Sequence, residues 1–174
     1  AHESAILHRD LKPMNVLVDG QEHPWVTDFG MAKVMVGEGG KPISSASSIP
    51  GTVVGTPAYM SPEQAQGSKK IDRRTDVYSL GAMLYEMLAG KPTFPGEATI
   101  LSLMRVVQDP VPPPSTVSPD WAASAMDKSI EEVCMKALSK SPDERPATAR
   151  EFAAQLTRWL GEEEAAPPPS PLGR

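Results

Sequence analysis

The chain has 174 residues, 40% of them hydrophobic and 22% charged, which is enough for one core of ordinary size in one globular domain. Its formal net charge of -5 argues against nucleic acid or an anionic lipid surface as partner, because both are bound through clustered Lys and Arg. The single cysteine, Cys134, excludes an internal disulfide and fits a reducing, cytoplasmic setting, and no run approaches the roughly 18 apolar residues of a membrane-spanning helix.

In chain order, residues 1–6 lack the basic start and apolar core of a signal peptide. Domain-interior sequence begins almost at once after Ala1, so a fragment of a longer protein is expected. Residues 15–18 and 25–27 are short β-like runs, and Asp19-Gly20 between them suits a hairpin-like connection. From residue 31 to 57 the composition turns to Gly, Ser, Lys and Pro and no period persists. Structureless segments beyond about 12 to 15 residues are uncommon inside compact domains and are usually functional or disordered, and the place of this one between two polar motifs favours function.

Residues 76–89 are apolar almost all round, which predicts a helix in the middle of the core that ends at Gly90, before Pro92. Ile100, Leu101, Met104 and Val107 mark a second helical stripe, closed by Pro110, Pro112, Pro113 and Pro114. Ile130, Val133, Cys134, Ala137 and Leu138 recur at helical spacing, with Cys134 read as a buried structural thiol. After Pro146, Phe152, Leu156, Trp159 and Leu160 repeat that spacing, so both stretches predict amphipathic helices packing inward. The nine methionines are expected mostly at core-facing helical positions. The fold expected is α+β, mainly helical with one small β-hairpin, over residues 1–160, followed by an acidic, proline-rich tail at 161–174 that buries nothing.

The chemistry concentrates early, in His8-Arg9-Asp10-Leu11-Lys12-Pro13-Met14-Asn15 and then Asp28-Phe29-Gly30, polar groups that bracket the hairpin. Phosphoryl transfer asks a protein for little covalent chemistry, only an in-line hydroxyl and cations that neutralise charge on the phosphate oxygens. Asp10 can accept or orient the hydroxyl proton and Lys12 can offset charge on the moving group. Asn15 with Asp28 supplies hard oxygen ligands suited to Mg²⁺. Taken alone, the run also reads as a polar loop capping a hairpin. His8 reads as a structural core histidine, and His2 and His23 have no metal-ligand partners at useful spacing. Gly37-Glu38-Gly39-Gly40 follows no strand and opens no helix, so it reads as a hinge and not as a phosphate loop.

H-R-D-L-K-x-x-N followed by D-F-G resembles the catalytic loop and metal-binding motif of protein kinases. Gly55-Thr56-Pro57-Ala58-Tyr59-Met60-Ser61-Pro62-Glu63 resembles the end of a kinase activation segment, with Ser61 where the family more often has alanine. Asp76-Val77-Tyr78-Ser79-Leu80-Gly81 is similar to the start of the family's central helix, and Pro142-Asp143-Glu144-Arg145-Pro146 to the segment of its late arginine. The resemblance spans roughly residues 1–160, and motifs linked in order are far more specific than a single match. It implies the C-terminal lobe of a serine/threonine protein kinase, with wording around Tyr59 to Gln64 most similar to the bacterial branch of eukaryotic-like kinases.

On that resemblance, Asp10 is the catalytic aspartate, Lys12 faces the phosphate, and Asn15 and Asp28 hold metal with ATP. Lys12 and Thr56 indicate serine/threonine specificity, Thr56 by contacting Asp10. Asp76 would brace the catalytic-loop backbone, and Glu63 would pair with Arg145 in a buried bridge whose disruption costs roughly 3 to 5 kcal/mol. Arg9 resembles the arginine that binds a phosphorylated activation loop, with Ser44, Ser45, Ser47, Ser48 and Thr52 as candidate acceptors and Thr52 preferred. The family's Gly-rich loop, its strand lysine and the glutamate partner of that lysine have no counterparts before His8. ATP binding is therefore expected to need an N-terminal lobe outside the chain, and the chain alone to be weak or inactive on its protein substrate. The alternatives are a non-catalytic, pseudokinase-like binding module and an isolated lobe too exposed to fold stably.

Overall fold

The computed structural model describes residues 6–29, 57–95, 99–118 and 128–161. Gly30, the loop from 31 to 56 with Ser44, Ser45, Ser47, Ser48, Thr52 and Thr56, and the tail from 162 lie outside the described residues, as does His2.

Strands β1 (Val16–Val18) and β2 (Pro24–Val26) pair antiparallel with Val16 opposite Val26, Leu17 opposite Trp25 and Val18 opposite Pro24. Relative to the sequence expectation β1 loses Asn15, and β2 is shifted by one residue, gaining Pro24 and losing Thr27. Pro13 starts a 3₁₀ turn over Pro13–Asn15 that takes Asn15 out of β1, a position where its missing N–H costs nothing. At the other end Pro24 opens β2, and Thr27 bonds back to Asn15 O at 2.9 Å. The connection is built on Asp19, whose Oδ1 accepts from the Gln21 and His23 amides and whose Oδ2 accepts from Trp25 Nε1.

The helices form the base of the molecule. Short α1 (Pro62–Ala65) is entered through Ser61, and α2 (Arg74–Ala89) ends where Gly90 takes the left-handed φ of 69°. Helix α2 buries Val77, Tyr78, Ala82 and Tyr85. It packs on α5 (Lys128–Ala137) and α6 (Ala149–Leu160), with α4 (Pro114–Val117) against its flank. The α2–α5 seam is close: a Cβ on Gly81 would stand 2.7 Å from Ala137 Cβ. Cys134 Sγ lies 3.6 Å from Gly81 O in the same seam. The turn Pro57–Tyr59 is tied to α2 by the Tyr59 hydroxyl donating to Glu86 and by Ser79 Oγ donating to Tyr59 O at 2.8 Å.

Four expectations need correction. Helix α2 is not apolar all round, because Thr75, Asp76 and Ser79 are buried polar residues and Met87 is exposed. Helix α3 (Thr99–Gln108) buries Ser102 and Val106, so Ile100, Leu101 and Met104 face solvent instead of the core. In α6 only the Phe152 end is buried, and Trp159 and Leu160 run out past the packed surface. No described methionine is buried, and Met14, Met87 and Met104 are exposed. Among the described residues no helix is long and apolar enough to cross a membrane.

Candidate active site

The site is built on a loop whose backbone is bent against its own preference. Arg9 and Asp28 adopt left-handed φ values of 67° and 61°, a region that carries a steric cost for residues with a Cβ. Such conformations persist only where surrounding structure over-determines them. Here the Asp76 carboxylate at the start of α2 accepts from the His8 amide through Oδ2 at 2.9 Å and from the Arg9 amide through Oδ1 at 2.8 Å. Buried Leu11 and His8 anchor the loop on its inner side.

His8 joins the loop to the hairpin. Its Nε2 lies 2.7 Å from Thr27 O, and its Nδ1 lies 3.3 Å from the Asp10 amide nitrogen. A carbonyl only accepts and an amide N–H only donates, so the ring carries its proton on Nε2 and accepts at Nδ1. His8 packs against the Phe29 ring at 4.8 Å between centroids. Thr27 therefore bonds both Asn15 and His8, which brings Asp28 beside the loop that holds Asp10.

On the outer side Lys12 Nζ sits 2.7 Å from Asp10 Oδ2. Asn15 Nδ2 donates to Asp10 O at 2.8 Å and to Asp10 Oδ2 at 3.2 Å. With both amide hydrogens engaged, the side-chain atom of Asn15 left for coordination is its Oδ1. Asp28 and Arg9 are exposed. The structure thus gathers Asp10, Lys12 and Asn15 into one cluster, with Asp28 across the hairpin. Thr56 and the candidate phosphate acceptors are not among the described residues. His23 stands away from the cluster, 3.5 Å from Asp19 Oδ2 at the far end of the hairpin. A cavity of about 440 Å³ adjoins the loop, lined by His8, Leu11, Phe29, Asp76 and Leu80 among others. None of Asp10, Lys12, Asn15 and Asp28 lines it, so it is not where that chemistry faces.

Below the loop lies a second polar centre. Arg145 donates from Nη1 to Glu63 Oε1 and from Nη2 to Glu63 Oε2, each at 2.8 Å. Its other donors reach Ser139 O, Arg74 O and Lys140 O at 2.8, 3.0 and 3.1 Å. All five guanidinium N–H groups are therefore satisfied, and Thr75 Oγ1 donates to Glu63 as well. Burial pushes the Glu63 carboxyl up, but the hydrogen bonds from Arg145 and Thr75 and the Arg145 charge outweigh it, leaving Glu63 below the ordinary value.

One contact to the loop has no counterpart in the sequence reading. Buried Gln64 donates from Nε2 to Arg9 O at 2.7 Å. The Ser61-x-x-Gln64 spacing signals a capping box, and the box is present. Nothing in the spacing points to a bond with a residue 55 positions upstream.

The protein kinase domain family matches residues 1–157. The serine/threonine-protein kinase PknB of Mycobacterium tuberculosis is 37% identical over 159 residues, which cover 91% of this chain and 24% of that protein. PknB of Mycolicibacterium smegmatis is 39% identical over 162 residues, with shares of 91% and 24%. The probable PknB of Corynebacterium glutamicum is 36% identical over 159 residues, with shares of 91% and 23%. The chain spans about a quarter of the length of these curated relatives.

Proposed function

Because the chain belongs to the protein kinase domain family, we propose that it carries the phosphoryl-transfer half of an ATP- and Mg²⁺-dependent kinase acting on serine or threonine hydroxyls of a protein substrate. The observation that carries this reading is the Asp10 cluster, a carboxylate held 2.7 Å from Lys12 on a loop pinned by Asp76.

In this reading Asp10 accepts or orients the proton of the attacking hydroxyl, since a positioned carboxylate needs only hydrogen-bond reach to do so. Lys12, already beside that carboxylate, faces the transferred group and offsets its negative charge. The donor set suits the metal: Mg²⁺ takes oxygen ligands from one or two protein groups and completes its shell with phosphate and water. Asn15 Oδ1 and the exposed Asp28 carboxylate are such groups. When bound, the ion neutralises charge spread over the phosphate oxygens.

Lys12 and Thr56 support serine or threonine as acceptor, as do the names of the relatives. The exposed Arg9 guanidinium suits a phosphate on Ser44, Ser45, Ser47, Ser48 or Thr52, because its planar fork bonds phosphate oxygens in pairs. The chain spans about a quarter of its relatives' length, so nucleotide affinity and activity are assigned to the whole protein. ATP as donor and a single buried cysteine support a cytoplasmic setting.

The test is Asp10→Asn in the whole protein, assayed by transfer of labelled γ-phosphate to a generic serine/threonine substrate. Loss of a positioned proton acceptor is expected to lower turnover by about 10² to 10⁴, with an unchanged circular dichroism spectrum. Retained turnover would sink the role given to Asp10.

A further inference from the structure

The peptide plane that leads into Asp10 is held at both edges. Its N–H, on Asp10, points to His8 Nδ1 at 3.3 Å, and its C=O, on Arg9, accepts from Gln64 Nε2 at 2.7 Å. The preceding plane is held by the Arg9 amide on Asp76. Between the two planes lies the left-handed Arg9, a residue with no glycine-like freedom to hold that conformation by itself. Rotating the plane between Arg9 and Asp10 would swing the Asp10 side chain off Lys12 and Asn15, so the donor that stops the rotation also aims the carboxylate.

Gln64 is fixed in the orientation this requires. Its Oε1 accepts from the Ser61 amide at 3.1 Å, which leaves Nε2 as the atom facing Arg9. A carbonyl oxygen can only be met by a donor, so the two backbone groups determine the amide orientation independently of each other. Ser61 and Gln64 are both buried, and the turn Pro57–Tyr59 preceding them is bonded to α2.

We propose that Gln64 is a positioning residue for phosphoryl transfer: its Nε2 locks the Arg9–Asp10 peptide and thereby couples the segment around Ser61 to the aim of the Asp10 carboxylate. The inference rests on the reading of Asp10 as the group that meets the substrate hydroxyl. It makes the sequence Ser61-Pro62-Glu63-Gln64 do two jobs, with Glu63 directed down to Arg145 and Gln64 directed up to the loop.

Gln64→Glu separates positioning from capping, because a glutamate still accepts from the Ser61 amide but offers Arg9 O no donor when ionised. In the whole protein, kcat should fall by about tenfold or more, since small misplacements of a catalytic group are costly. KM for ATP and for the peptide should stay within about twofold, as expected when an interaction that matters only in the transition state is lost. The ratio of mutant to wild-type kcat should rise as pH is lowered toward the titration of the introduced carboxyl, because the protonated acid regains an O–H donor. Gln64→Met should show the same loss without the pH recovery. Thr148→Ala removes the side-chain cap of α6, where Thr148 Oγ1 accepts from the Glu151 amide at 3.0 Å, and should lower Tm by a few degrees while leaving kcat unchanged. Amide hydrogen exchange at Asp10 should speed up in Gln64→Glu and not in Thr148→Ala, a readout that needs no turnover. Wild-type kcat and wild-type Asp10 exchange in both Gln64 variants would overturn the proposal, as would an equal kcat loss in Thr148→Ala. A wild-type protein without turnover would remove the kinase reading, and the exchange rates would still decide whether Gln64 holds the peptide.

Discussion

Helices α2, α5 and α6 bury Val77, Tyr78, Tyr85, Ile130, Cys134, Ala137 and Phe152 against one another, whereas β1 and β2 leave Leu17, Val18, Trp25 and Val26 exposed. The helical base is held by apolar packing, which is non-directional and grows with area. The hairpin edge is held by a few directed bonds: Asp76 and Gln64 on the loop backbone, and His8 on Thr27. The edge therefore takes its geometry from the base, and each tie has a definite partner whose loss should be felt at one place. The residues proposed to carry chemistry sit where packing is thin and hydrogen bonds set the angles, and Arg9 and Asp28 there hold left-handed φ values.

The largest break should come from Arg145→Met, which strands the Glu63 carboxylate in a buried site and leaves three carbonyls without their donor. Removing one partner of a buried pair costs about 3 to 5 kcal/mol, to be read from the urea unfolding midpoint. Because Glu63 and Gln64 are adjacent in α1, Asp10 exchange should rise as well. An unchanged midpoint would show that the base does not depend on this centre.

A smaller effect confined to the base is expected from Gly81→Ala. The added methyl meets Ala137 Cβ at 2.7 Å, and overpacking of this kind costs about 1 to 3 kcal/mol. If the two regions are held separately, Asp10 exchange in this variant keeps its wild-type protection relative to global unfolding.

The smallest effect is a pH dependence. The folded Glu63 carboxyl lies below its ordinary value of 4.5, so the unfolded chain takes up that proton first on acidification. The stabilisation is fully present above 4.5 and is lost as pH falls through the folded value. The stability gap between wild type and Arg145→Met should therefore narrow as pH falls below 4.5 without closing, because the three carbonyls lack their donor at any pH, and a gap independent of pH would remove the ion pair from the account.

Much of the base was legible because buried helices repeat every 3.6 residues, as Ile130, Cys134, Ala137 and Leu138 do. Helix α3 was legible as a stripe but not in its packing, because Ile100, Leu101 and Met104 mark an apolar face, not the face that meets a neighbour. The side that packs is narrow, with Ser102 and Val106 its buried residues. At the site, Asp10, Lys12 and Asn15 are legible together because their bonds span only a few residues of chain. The pairing of Glu63 with Arg145 spans 82 positions and entered only through family resemblance. The Gln64 bond to Arg9 entered through neither, since no local pattern tells a capping glutamine that its spare nitrogen has a second task.

The seam between Gly81 and Ala137 also closes over a thiol. Cys134, the only cysteine in the chain, lies in that seam with its thiol pushed up to about 12 by burial and by the nearby Glu131 charge. At neutral pH it offers almost no thiolate and no path for a reagent. A disulfide-exchange dye therefore waits until α2 and α5 part, and the colour it develops clocks the opening of that one helix pair without any label being engineered into the protein.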